Sequence, residues 1–196
     1  MSVQTVQLIY GLLAIVGIVI LVWLAVLSIA SRFSEAAADG LDSIRERLEP
    51  WAVPSAAIVA LLAMVGSLYF SEIAKLPPCA LCWFQRIAMY PLVLLLGIAS
   101  FRRDVGIRVY AIPLAAIGAT ISVYHLLLEW RIVEVSLICE VDNPCSNVLF
   151  RQFGFISLPF LALTAFLLII AFLLIPYRRR DSEAAARIAN EEAAEA

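Results

Sequence analysis

Five long apolar runs constrain this chain more than any other feature of its sequence. The first has 25 residues and no charged side chain. At about 1.5 Å per residue, a helix of that length is roughly 37 Å long, enough to cross a hydrocarbon core of about 30 Å with some tilt. Hydrophobic residues make up 63% of the chain, against roughly 45–50% in soluble domains. The sequence therefore predicts an all-α membrane protein with five spans, Val6–Ala30, Trp51–Phe70, Trp83–Phe101, Arg108–Leu128 and Gly154–Ile175.

The polar segments divide the chain into four parts. Residues 1–30 are predicted to be an additional N-terminal transmembrane helix. A cleaved signal peptide is disfavoured because the apolar run is too long and no basic residues precede it. Residues 31–50 are predicted to be a cytoplasmic connector, residues 51–177 a four-helix core, and residues 178–196 a cytoplasmic acidic tail.

The connector has two interpretations. Leu41, Ile44 and Leu48 recur at helical spacing, which indicates a short amphipathic helix lying on the membrane surface. A solvated link between two spans explains the same polar composition.

Basic residues predict which way the chain crosses the membrane. The connector carries three arginines, the Arg102–Arg108 turn three and the tail four. The two loops that carry cysteines have only Lys75 with Arg86, and Arg131 with Arg151. Because basic residues favour the cytoplasmic side, both cysteine loops and the N-terminus are predicted to be extracytoplasmic in a plasma membrane. Disulfides persist on that side.

A C-x-x-C pair opens the third span. Pro77 and Pro78 delay the start of the helix, so Cys79 and Cys82 are expected in its first turn and on one face. The helix N-terminus favours a thiolate there, which suits redox chemistry. A structural disulfide and a metal site remain alternatives. Zinc is disfavoured because a four-cysteine site would need both cysteine loops to meet.

Cys139 and Cys145 form the second pair of cysteines. Asn143-Pro144 between them marks a turn, which can bring the two Cα atoms to disulfide distance. A structural disulfide that closes the loop is one interpretation. The other is an exchange chain, in which a thiolate of one pair attacks the disulfide of the other.

Electrons that reach a membrane dithiol need an acceptor. The sequence has no C-x-x-C-H or G-x-G-x-x-G motif, so a lipid-soluble quinone entering beside Cys82 is the natural choice. Arg86 could stabilise charge on that quinone, or snorkel to lipid headgroups. His125, the one histidine, could donate a proton to it, or only pack at the interface. Neither a metal nor a nucleic-acid partner is expected.

Three motifs together resemble the DsbB family of disulfide bond formation proteins. The first is Pro78-Cys79-x-Leu81-Cys82-Trp83-x-Gln85-Arg86-x-x-Met89-Tyr90-Pro91. The others are Cys139-x5-Cys145, whose short spacing is most similar to the BdbC branch, and Gly154-Phe155-Ile156-Ser157-Leu158-Pro159. The resemblance covers roughly residues 52–176. It implies a four-helix bundle that passes electrons from a thioredoxin-like (DsbA-type) extracytoplasmic oxidase to a membrane quinone, ubiquinone or menaquinone.

The resemblance also implies roles for individual residues. Cys79 and Cys82 would be the quinone-coupled pair, with Cys82 nearest the quinone, and Cys139 and Cys145 the pair that reoxidises the partner. Arg86 and His125 would belong to the quinone site. The N-terminal helix is additional to the family's four-helix core, and the compact second pair differs from the widely spaced version.

Two other functions remain open from the sequence. Vitamin K epoxide reductase-like enzymes share the chemistry, but they place C-x-x-C before the last core helix, whereas here it precedes the second. A membrane scaffold with two structural disulfides would be no enzyme at all.

Overall fold

Five helices make up most of the structure, which describes residues 2–133, 139, 145–146 and 148–175. Each contains a segment long and apolar enough to cross a membrane. The all-α membrane architecture predicted from the apolar runs, including the additional N-terminal helix, is confirmed. In this computed structural model the helices are α1 (Val3–Ala30), α2 (Glu35–Leu68), α3 (Ala80–Arg102), α4 (Arg108–Glu129) and α5 (Leu158–Ile175).

Helix α2 begins much earlier than the second predicted span. It runs without a break from Glu35 to Leu68, and a π turn, Tyr69–Ile73, continues it. The predicted helix start at Trp51 is therefore wrong, and the connector is helical from Glu35 onward. At about 1.5 Å per residue, α2 is roughly 51 Å long. It exceeds the ~30 Å hydrocarbon core, so part of it extends beyond the membrane.

Two prolines inside α2 explain why its continuity is hard to predict. Pro50 and Pro54 each remove one backbone hydrogen bond, but the ring holds φ near the helical value. They are four residues apart, so the losses fall on one side of the helix. The helix continues through both prolines. Leu41 in its early part is buried, whereas Ile44 and Leu48 of the same stripe are partly exposed.

The core lies between α2, α3, α4 and α5. Alanine is common on the facing sides, and small residues let helices in a membrane approach closely. The buried residues shared by the four helices are Val53, Ala56, Ala60, Ala88, Met89, Leu92, Leu96, Ala99, Ala111, Ala115, Ala119, Phe166, Ile169 and Leu173.

Helix α1 lies outside this core. Only 11% of its most apolar window is buried, so most of its surface is available to lipid. Its buried residues are Val6, Gly11, Ala14 and Gly17, which define one face. That face packs on α2 and α5.

A tight turn before α5 shortens the fifth predicted span. Phe153 and Gly154 have positive φ angles of 53° and 84°. Gln152 and Ile156 close the turn with a β-bridge. The helix therefore starts at Leu158 rather than at Gly154. The Asn143-Pro144 turn and the 178–196 tail lie outside the described residues.

Candidate active site

The C-x-x-C pair lies at the start of α3. Cys79 caps the helix, and its sulfur accepts a hydrogen bond from the backbone N–H of Cys82 at 3.4 Å. The two sulfurs are 3.1 Å apart. Both cysteines are free; Cys79 is buried and Cys82 half-buried. Because Pro77 and Pro78 disfavour helix in the residues before them, the chain turns into a helix only at this pair.

His125 on α4 connects the first pair to the second. Its Nε2 lies 3.7 Å from the sulfur of Cys79 and 3.1 Å from the backbone oxygen of Cys145. The ring is buried, and its Nδ1 has no hydrogen-bond partner among the residues that the structure describes. A proton on Nε2 can therefore be donated either to a Cys79 thiolate or to the Cys145 carbonyl.

Hydrogen bonds favour a thiolate at Cys79. The Cys82 thiol donates a hydrogen bond to its sulfur, and His125 adds a hydrogen bond and charge. These contacts lower the pKa of Cys79 well below the usual range of a cysteine thiol, although burial acts in the opposite direction. Because the thiolate is the reactive form of cysteine, Cys79 is prepared for thiol–disulfide exchange.

The second pair is a disulfide in this structure. Cys139 and Cys145 are bonded, with their Cα atoms 5.7 Å apart, and both are buried. They form one buried cluster with Cys79, Leu81 and Leu128. The four cysteines thus lie at the same end of the bundle, with the disulfide packed against the free pair.

An apolar cavity of about 200 Å³ adjoins Cys82. It is bordered by α1, α2, α3 and α5, and most of its wall is aliphatic or aromatic. Polar groups come from a few residues, among them Ser67, Gln85 and Arg86. Of the two free cysteines, only Cys82 borders this cavity. Apolar cavities with a few polar groups are typical of small-molecule sites.

Arg86 brings a positive charge to this cavity. It is 9% exposed, and its Nε and Nη2 donate to the hydroxyl and carbonyl oxygens of Ser67 at 2.9 and 3.0 Å. The guanidinium carbon lies 5.1 Å from the centroid of the Trp83 ring. In the described part of the chain, no carboxylate pairs with Arg86. A buried cation without a carboxylate suits a ligand that carries oxygen acceptors or negative charge.

A second, smaller cavity of about 20 Å³ lies beside the sulfurs. Cys79, Cys82, His125 and Glu129 border it. It has room for about one water molecule. His125 borders this small cavity and not the larger one, so its ring lies at the thiols. A role for His125 in binding quinone stays a prediction.

Two polar residues near the site had no role assigned from the sequence. The Gln85 amide donates to the Ser122 hydroxyl at 3.1 Å, and that hydroxyl donates to the Gly118 carbonyl at 2.9 Å. Gln85 could have been found as a polar residue in an apolar run, one turn after Cys82. Ser122 carries no such signal, because its position depends on how α4 is rotated against α3.

Glu129 was also missed. Its carboxylate is buried and accepts a hydrogen bond from Nη2 of Arg151 at 2.8 Å. A carboxylate one turn after His125 on the same helix was the available signal. The pair joins the end of α4 to the segment before α5, and Glu129 borders the small cavity.

The two thiols and the histidine also lie close enough together to bind a metal ion. The sulfurs of Cys79 and Cys82 and a ring nitrogen of His125 lie within 4.8 Å of one another. Structural zinc sites take four protein ligands, and this group of described residues offers three. The absence of a metal stays a prediction.

The chain is a helical membrane bundle in which a free C-x-x-C pair packs on a second, buried disulfide. This arrangement places it in the class of membrane thiol–disulfide proteins. Residues 49–176 match the family described as Disulfide bond formation protein DsbB. The chain belongs to the DsbB family. It is accordingly a multi-pass membrane oxidoreductase that generates disulfide bonds.

Two of the chain's relatives come from Bacillus species. It is 56% identical over 118 residues to Disulfide bond formation protein C of Bacillus subtilis, a match that covers 59% of this chain and 85% of the relative. It is 42% identical over 138 residues to Probable disulfide formation protein C 2 of Bacillus cereus, which covers 70% of this chain and 99% of the relative. No solved structure matches the chain.

Proposed function

We propose that the protein reoxidises a thioredoxin-like (DsbA-type) dithiol oxidase on the extracytoplasmic face and passes the electrons to a membrane quinone. The position of Cys82 carries this proposal. Cys82 borders both the small cavity that it shares with Cys79 and His125 and the apolar cavity that contains Arg86. One sulfur of the redox pair therefore adjoins space suited to a lipid-soluble acceptor, while the other contacts the histidine beside the second pair.

The residues of the larger cavity fit a quinone. Its apolar wall suits a ring with an isoprenoid tail. Arg86 has N–H donors left after its two bonds to Ser67. Tyr90 also borders the cavity, and its buried hydroxyl has no partner among the described residues. When bound, a quinone would accept two electrons and two protons as the Cys79–Cys82 dithiol becomes a disulfide.

Thiol–disulfide exchange would connect the partner to this pair. A thiolate of the reduced partner attacks the Cys139–Cys145 disulfide, and the partner's second thiol resolves the mixed disulfide, so that the partner leaves oxidised. The Cys139 and Cys145 thiols then reduce a Cys79–Cys82 disulfide in the same way. This restores the Cys139–Cys145 disulfide and leaves Cys79 and Cys82 as thiols. His125 stabilises the Cys79 thiolate produced by that step.

Reconstituted turnover tests the proposal. Purified protein in lipid nanodiscs would receive a reduced thioredoxin-like oxidase and decyl-substituted benzoquinone. We expect one quinone to be reduced for each partner dithiol oxidised, with quinone absorbance and maleimide trapping of thiols as the two measurements. A scaffold with structural disulfides would leave both the quinone and its own cysteines unchanged, and that result would overturn the proposal.

A further inference from the structure

We propose that α1, which lies outside the four-helix core, forms one wall of the quinone cavity, and that Tyr10 and Leu13 help to set quinone affinity. The inference rests on the proposed function, because it concerns the same site. It extends that function to a part of the chain outside the family match, which begins at residue 49.

Three residues of α1 border the cavity directly. They are Tyr10, Leu13 and Ala14. Their spacing of three and four residues places them on one face of the helix. Cys82 and Arg86 of α3 also border this cavity. A ligand in this space would therefore adjoin both α1 and the redox pair.

Close packing against α2 holds Tyr10 at this wall. Its hydroxyl donates to the Leu62 carbonyl at 3.1 Å, and its ring lies edge-on to that of Phe70, with the centroids 5.7 Å apart. A methyl group on Gly66 would overlap the Tyr10 ring, so the absence of a side chain there is what admits the ring. Phe70 itself borders the cavity.

Contacts with α5 hold the next turns of α1. A methyl group on Gly17 would lie 2.8 Å from the Leu168 side chain and 3.0 Å from that of Thr164. Both of these α5 residues border the cavity. Since α1 packs on α2 through Tyr10 and on α5 through Gly17, it bridges the two helices across the cavity. The wall on this side consequently belongs to α1 rather than to lipid.

A protein wall increases the ligand surface that is buried. Removing side-chain atoms from the wall should therefore weaken quinone binding without changing the cysteines. Leu13 and its neighbour Leu12 provide a matched pair for this test. They are similarly exposed, at 44% and 50%, but Leu13 borders the cavity and Leu12 does not.

The test compares Leu13→Ala and Tyr10→Ala with the control Leu12→Ala in the full-length protein. Binding of decyl-substituted benzoquinone to the protein in nanodiscs would be measured by equilibrium dialysis. We expect the dissociation constant to rise about 3- to 10-fold in Leu13→Ala and Tyr10→Ala, and to stay at the wild-type value in Leu12→Ala. If Tyr10→Ala does not fold, the comparison of quinone affinity between Leu13→Ala and Leu12→Ala still tests the inference.

A second readout separates the wall from the thiol chemistry. Oxidation of one equivalent of reduced partner by the Cys139–Cys145 disulfide should proceed at the wild-type rate in all three variants. Equal quinone affinity in Leu13→Ala and Leu12→Ala would overturn the inference and leave the proposed function standing. If wild-type protein neither binds nor reduces the quinone, the proposed function fails, and the inference fails with it.

Discussion

At the scale of single residues, the proposed electron transfer from the thiols to quinone depends on Cys82 and Arg86. They are four residues apart on α3, so they share one face of the helix and border the same cavity. Ser67 on α2 fixes the guanidinium through two hydrogen bonds. The charge is thereby held beside the sulfur that borders the apolar space.

Replacing Arg86 should change the KM for quinone more than the KM for the thiol partner. We expect Arg86→Met to raise the apparent KM for quinone at least tenfold, because a charge-assisted hydrogen bond in an apolar cavity contributes about 1.5–3 kcal/mol. Arg86→Lys, the matched control, keeps the charge and should have a smaller effect. Steady-state kinetics with both substrates measures this. An unchanged KM for quinone in Arg86→Met would remove Arg86 from the site.

The Cys79 thiolate gives a prediction for pH dependence. Hydrogen bonds from Cys82 and His125 lower the pKa of Cys79, so the thiolate should persist at pH values below the ordinary cysteine pKa of about 8.5. Thiolate absorbance at 240 nm, followed during acidification of the reduced protein, measures it. We expect His125→Leu to move this transition to higher pH and Cys79→Ser to abolish it. A transition unaffected by either change would contradict the assignment.

Local sequence spacing predicted some of these residues and not others. Cys79, Cys82 and Arg86 follow from one helix start and one helical period. The position of His125 could not be derived in that way, since it depends on the rotation of α4 against α3. The positions of Ser67, Ser122 and Tyr10 could not be derived from local spacing either, because each reaches the site from another helix. The placement of the pair at a helix start was therefore predictable, and the shape of the cavity was not.

At the scale of elements, helix packing places the cavity between neighbouring helices. Alanine-rich faces bring α2, α3 and α4 close together around the core. The sequence predicted the number of helices but placed the start of α2 at Trp51, because the apolar run begins there. Inside α2, Pro50 and Pro54 interrupt only a few hydrogen bonds, and tertiary packing maintains the helix.

One glycine should be essential to packing within the core. A methyl group on Gly118 of α4 would overlap the ring of Phe166 on α5. We expect Gly118→Ala to destabilise the fold by about 1–3 kcal/mol. Gly97→Ala is the matched control: a methyl group there meets no atom within 4 Å, so helix propensity should make it neutral or stabilising by up to ~1 kcal/mol. Thermal unfolding in detergent compares the two, and equal midpoints would contradict the packing.

At the scale of the whole molecule, the redox site and the basic residues lie at opposite ends of α3. Cys79 is at the start of this helix, whereas Arg102 and Arg103 are at its end. The positive-inside rule then predicts that the cysteines lie outside the cytoplasm, on the side where we propose that a secreted oxidase reaches the second pair.

Reporter fusions test this orientation. Alkaline phosphatase, which folds only outside the cytoplasm, should be active when fused after Lys75 and inactive when fused after Asp104. Fusions of a cytoplasmic reporter, such as a fluorescent protein that folds only inside, should give the reverse pattern. Active phosphatase at Asp104 alone would place the cysteines in the cytosol and contradict the proposed partner.

Single-turnover quinone reduction without any partner tests the central claim most directly, namely that Cys82 with Cys79 delivers electrons to the acceptor. Fully reduced Cys145→Ser and Cys82→Ser variants would each be mixed anaerobically with decyl-substituted benzoquinone. We predict that Cys145→Ser, which keeps Cys79 and Cys82, reduces one equivalent of quinone. Cys82→Ser, which keeps Cys139 and Cys145, should reduce none. Quinone reduction by Cys82→Ser at the wild-type rate, or its absence in Cys145→Ser, would contradict the account.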